Sequence, residues 1–88
     1  MKLKYDFLIQ QVADDFVAVA VGDGATEFNG LVRLNKTGRD IFELLQQGLD
    51  ENAIVAALFE KYDASEELLR EKVQEFTSQL SASGILES

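Results

Sequence analysis

Leu34-Asn35-Lys36-Thr37-Gly38-Arg39-Asp40-Ile41-Phe42-Glu43-Leu44-Leu45-Gln46-Gln47-Gly48 is the stretch on which the fold turns. On its N-terminal side apolar residues alternate, and within and beyond it they recur at spacings of three and four. That is the difference between half-buried strands and amphipathic helices. Asn35 is a favourable helix N-cap and Gly48 a favourable stop, so the stretch reads as a helix of about three turns with Ile41, Phe42, Leu44 and Leu45 as its apolar residues.

Working back toward the N-terminus, Phe7 to Val12 reads as a first strand and Asp15 to Val21 as a second, with Val17, Val19 and Val21 on one face and Ala13-Asp14 as the turn. Gly22-Asp23-Gly24 supplies the next turn. Glu27 to Leu34 forms a third strand with Phe28, Val32 and Leu34 on one side. A meander of three strands cannot hide an apolar face unaided, so helices must cover it.

Working forward, Asp50 caps a second helix whose buried stripe is Ile54, Ala57, Leu58 and Tyr62, and Leu49 staples onto Ile54. Asp63 and Ser65 compete as caps of a third helix carrying Leu69, Val73, Phe76 and Leu80. Gly84 ends that helix, and Ile85 and Leu86 bring the tail back to the core. The expected architecture is α+β and winged-helix-like, a three-stranded antiparallel meander followed by three α-helices. Its expected core includes Ile41, Leu45, Leu58, Phe76 and Leu80.

The chain has 88 residues, 47% of them hydrophobic, which is the size and composition of one globular domain spanning residues 1–88. It contains no His, Cys or Trp. Zinc sites, thiol redox chemistry, disulfides and His-based nucleophilic triads are thereby excluded. Asp14, Asp15 and Asp23 sit at predicted turns, where Asp is favoured for backbone hydrogen bonding, and Gly22 to Arg33 lacks the ligand pattern of a calcium loop. Gly22-x-Gly24 has no third glycine and no Lys-Ser/Thr ending, so it reads as a turn and not a phosphate loop. These residues point to a chain that is not an enzyme and takes no cofactor or metal.

Sixteen acidic residues against eight basic ones give a net charge of −8, concentrated after residue 34. Such a chain repels a phosphate backbone. Glu66, Glu67, Arg70, Glu71, Lys72 and Glu75 leave the third helix net acidic, which argues against nucleic acid as a partner. Neither a signal peptide nor a membrane-spanning run is visible, so the expected location is cytoplasmic and no membrane partner is expected.

The quoted stretch, followed by Ile54, Leu58 and Tyr62-Asp63, resembles the coenzyme PQQ synthesis protein D (PqqD) family. The matching positions are Leu34, Asn35, Thr37, Gly38, Ile41, Phe42, Leu44, Leu45, Gly48, Tyr62, Leu80 and Gly84, with Phe42 where Trp is common. The resemblance covers roughly residues 27 to 86. It implies a non-catalytic peptide recognition element that binds the leader of a ribosomally made precursor peptide by strand addition and presents the peptide to a modifying enzyme, often a radical SAM protein.

The peptide-binding residues implied are Asn29, Gly30, Leu31, Val32 and Arg33 on the third strand, with Leu68, Leu69, Lys72, Val73 and Phe76 on the opposing helix. The strand lacks proline, which would blunt its edge, and Arg33 could meet a leader carboxylate. Two other readings compete. One is a winged-helix nucleic-acid-binding or regulatory domain; the other is a small module whose exposed edge pairs with itself as a homodimer.

Overall fold

The computed structural model describes residues 2–22 and 30–87. Strand β1 is Lys2–Leu3, β2 Asp6–Val12, β3 Asp15–Val21 and β4 Leu31–Leu34. Helices α1 (Lys36–Gln46), α2 (Glu51–Lys61) and α3 (Glu66–Ala82) follow, and β5 (Leu86–Glu87) closes the chain. β2, β3 and β4 form an antiparallel sheet in sequential order, and β1 pairs with β5 in a separate two-stranded sheet. The expected winged-helix-like meander followed by three helices is the architecture found. Glu27, Phe28, Asn29, Asp23 and Gly24, on which part of the third strand and its preceding turn were placed, lie outside the described residues.

The helix ends are set by local chemistry. Asn35 Oδ1 accepts from the Gly38 amide at 2.7 Å, Asp50 Oδ1 from Ala53 at 2.9 Å, and Ser65 Oγ from Leu68 at 3.1 Å, each satisfying an orphan donor of a first turn. Ser65, not Asp63, is therefore the cap of α3. Gly48 and Gly84 follow the C-caps of α1 and α3 in the left-handed region, at φ 84° and 80°.

The face of β3 that meets the helices is the alanine face. Ala18 and Ala20 are buried, whereas Val19 and Val21 are exposed. Small residues there leave room for the bulk on the other side of the core: Phe42, Ile41, Ile54, Leu58, Ile85, Val55 and Val73 are its largest fully buried side chains. Phe7 meets Phe42 edge-on, with ring centroids 5.2 Å apart. Phe76, expected in the core, is only half-buried.

The tail docks as the apolar Ile85-Leu86 pair suggested, and the new feature is its partner. Leu86 pairs with Leu3, and the Lys4 amide donates to the Ile85 carbonyl at 2.9 Å, joining the two ends of the described chain.

Candidate functional site

Two features of this architecture lie side by side: an unpaired strand edge and an apolar groove. β4 pairs with β3 through Phe16–Leu34, Val17–Arg33, Ala18–Val32 and Val19–Leu31, and its other edge has no strand partner among the described residues. Unpaired edge amides and carbonyls are a template for another strand. The pleat sends Val32 and Leu34 toward the helices and leaves Leu31 and Arg33 on the outer face.

Where β4 ends, Asn35 starts α1, and a groove of about 420 Å³ opens between this junction and α3. Asn35, Thr37, Gly38 and Ile41 form one wall. Leu68, Leu69, Lys72, Glu75, Phe76 and Gln79 of α3 form the other, and Tyr62 and Ala64 contribute from the α2–α3 connection. Phe76 approaches α1 closely because residue 38 has no side chain: a Cβ there would lie 3.2 Å from Phe76 Cε1. The helix that forms the second wall is tied to α2 by Arg70, which reaches Glu51 at 2.8 Å and Asn52 at 2.9 Å. Glu51 leads the causes that raise the Arg70 pKa.

Beside Thr37 and Tyr62 sits a charged cluster that sequence patterning did not single out. Asp40 is buried, accepts a hydrogen bond from the Tyr62 hydroxyl, and lies 3.0 Å from both Arg39 Nε and Lys61 Nζ. The Arg39 contact is ionic and too poorly aligned to count as a hydrogen bond. Burial works against the Asp40 charge, but the hydrogen bonds from Tyr62 and Lys61 and the charges of Lys61 and Arg39 outweigh it and hold the carboxyl below its ordinary range. Burial, then the Asp40 bond and charge, push the Tyr62 phenol up. Arg39 also stacks 4.6 Å above the Phe16 ring, so one cluster joins α1 to α2 and β3.

The structure brings Leu68, Leu69, Lys72 and Phe76 together on the groove. Leu68 is 45% exposed and Leu69 only 4%, so Leu68 offers the apolar surface while Leu69 supports it from the core. Val73 is fully buried and does not line the groove, which corrects its placement there: the helix turns it inward to the core. Gly30 is an exposed bend before β4, and Leu31, Val32 and Arg33 form the edge strand and not the groove wall. Asn29 lies outside the described residues. Asn35, Thr37, Gly38, Tyr62, Glu75 and Gln79 were not anticipated as lining residues. Gly38 carried a signal, being a glycine in the first turn of a helix, where only a close neighbour gives it a purpose.

Among the described residues there is no group of three or more acidic side chains placed to hold a metal ion, and no helix long and apolar enough to cross a membrane.

An open sheet edge beside an apolar groove is the arrangement that peptide recognition by strand addition requires. The family model for coenzyme PQQ synthesis protein D (PqqD) matches residues 17–86, and the chain belongs to that family. Among solved structures it is similar to TbiB1 in complex with the TbiA(beta) leader peptide, with a TM-score of 0.77 at 22% identity over 100% of this chain and 96% of that one. No curated protein matches the chain significantly.

Proposed function

We propose that this chain is a non-catalytic peptide chaperone that captures the leader of a ribosomally made precursor peptide and presents the remainder to a modifying enzyme, a radical SAM protein being the class expected. The leader adds to the free edge of β4 as a further strand. Its inward side chains enter the groove against Leu68 and Phe76, and main-chain pairing supplies affinity while the groove supplies selectivity.

The observation that carries this reading is that the edge strand runs directly into the groove, through Leu34 and Asn35, so one extended peptide reaches both. Membership of the PqqD family supports it, as does the overall likeness to a protein solved with a leader peptide. The acidic surface of α3 favours a peptide over nucleic acid as the ligand. Function by binding also fits a chain without His or Cys.

The experiment is amide shift mapping against leader peptides of candidate ribosomally made precursors. Perturbation of residues 31–34 and of α3 from Leu68 to Phe76 is expected. Perturbation confined to the β2–β3 turn at Asp14 and Asp15, with β4 and α3 silent, overturns the site.

A further inference from the structure

The outer face of the sheet carries an apolar row that runs toward the open edge. Leu8 of β2 lies opposite Val19 of β3, and Val19 opposite Leu31 of β4. These side chains are 52%, 36% and 55% exposed. Large aliphatic side chains in register across three strands, on the face away from the helices, form a stripe and not scattered surface residues. Leu31 ends the row at the edge where the next strand would add.

Charge marks the same edge. Arg39, Lys61 and Arg70 are each paired with carboxylates. Arg33, Lys36 and Lys72, like Lys2 and Lys4 at the N-terminal end, have no ion-pair partner among the described residues, although acidic residues outnumber basic ones two to one. Arg33 is on the outer face of β4, Lys36 opens α1 directly after it, and Lys72 lines the groove, where Glu75 is the one carboxylate beside it. In so acidic a chain, three of the five free cations of the described residues around one edge favour an anionic occupant there.

Resting on the strand-addition reading, we propose that the peptide taken up is acidic and apolar on its solvent-facing side: one apolar residue beside Leu31, continuing the Leu8–Val19–Leu31 row, and an Asp or Glu two residues away beside Arg33. The spacing follows from the pleat, because Leu31 and Arg33 project from the same face and residues opposite them on an added strand are also two apart. A leader with only one apolar face would fill the groove and leave the row unfinished. The row thus makes the domain selective for peptides with apolar residues on both faces of the bound segment.

The test is selection of a display library of random short peptides on the full chain and, in parallel, on its Arg33→Glu variant. Amide mapping and titration of the enriched peptides follow. Arg33 is exposed, so the variant should keep the parental melting curve. The expected result is peptides that perturb residues 31–34 and α3 and share an apolar residue two positions from an Asp or Glu. Their affinity for Arg33→Glu should fall roughly fivefold, the size of one cross-strand charge pair made repulsive, and return when the peptide carboxylate is replaced by Lys. Peptides that perturb β4 and α3 but show no such outward pair, and bind Arg33→Glu equally well, overturn this inference and leave strand addition standing. Peptides that perturb other elements, or no enrichment at all, overturn strand addition and this inference with it.

Discussion

Gly38 and Phe76 meet with no room for a methyl group between them: a Cβ on Gly38 would lie 3.2 Å from Phe76 Cε1 and 3.1 Å from Asn35 Oδ1. The first turn of α1 thus fixes how deep the Phe76 ring lies in the groove. Gly38→Ala gains helix propensity, worth up to about 1 kcal/mol, and pushes the ring by a few tenths of an ångström toward the open groove. We expect overall stability within about 1 kcal/mol of the parent, shifted Phe76 ring resonances, and weaker peptide binding. Urea melts and a peptide titration separate the two effects.

Leu58 and Phe76 differ in burial, and their truncations should differ with it. Leu58 is 1% exposed, so Leu58→Ala should cost roughly 2 to 5 kcal/mol. Phe76 is half-buried, and Phe76→Ala should cost about half as much while removing the groove floor. Chemical denaturation with equal m-values for the variants and the parent is the check.

Asp40 predicts the acid limb of stability. Its folded pKa lies below the ordinary 3.8, so its contribution is fully present above that value and is lost as pH falls through the lower, folded one. Tyr62 has the opposite sign. Its pKa is raised above 10.0, so its contribution is present below that value and is lost as pH rises through the folded one. Asp40→Asn should cost roughly 1 to 3 kcal/mol at neutral pH and flatten the acid limb, whereas Tyr62→Phe should flatten the alkaline limb and, by removing one hydrogen bond that holds Asp40 low, weaken the acid limb in part. Melting temperatures across pH test both limbs; an unchanged acid limb in Asp40→Asn contradicts the assignment.

How much of this was legible in the sequence follows from the range of each interaction. Asn35, Asp50, Gly48 and Gly84 act within one turn of their own position, and their roles were readable at once. The covered face of β3 was not, because both of its faces are apolar and alternation alone does not say whether Ala18 and Ala20 or Val19 and Val21 meet the helices. Pairing of Leu3 with Leu86 joins segments of two residues that carry no periodic signal. The helical half of the groove was visible as the α3 stripe. Its other wall depends on a contact between residues 38 and 76, and Asp40 reads as an ordinary polar helix residue until Lys61 and Tyr62 are brought to it.

Ala13 is an alanine in a left-handed turn, at φ 57°. An L side chain there is disfavoured by roughly 1 to 2 kcal/mol, part of which glycine returns as chain entropy in the unfolded state. Ala13→Gly should raise stability by about 0.5 kcal/mol, read as a higher urea midpoint with an unchanged slope.

Adjacent leucines of α3 supply the cleanest test of the peptide site. Leu68 is 45% exposed on the groove, and Leu69 beside it is 4% exposed in the core. An aspartate at 68 keeps its charge in water in the free protein and must desolvate it only when a peptide covers the groove. Leu68→Asp should therefore leave the melting curve nearly unchanged and weaken peptide binding by on the order of tenfold, the cost of placing a charge in an apolar contact that water still partly reaches. At 69 the charge is buried whether or not a peptide is present, so Leu69→Asp should lower stability by several kcal/mol, on the order set by an unpaired buried carboxylate. Lys72→Glu, on the same wall, should weaken an acidic peptide without affecting the fold, and its effect should shrink as salt is raised. Thermal melts and titrations on all three variants separate folding from recognition. A Leu68→Asp chain that melts like the parent and binds the peptide equally well would remove α3 from the site.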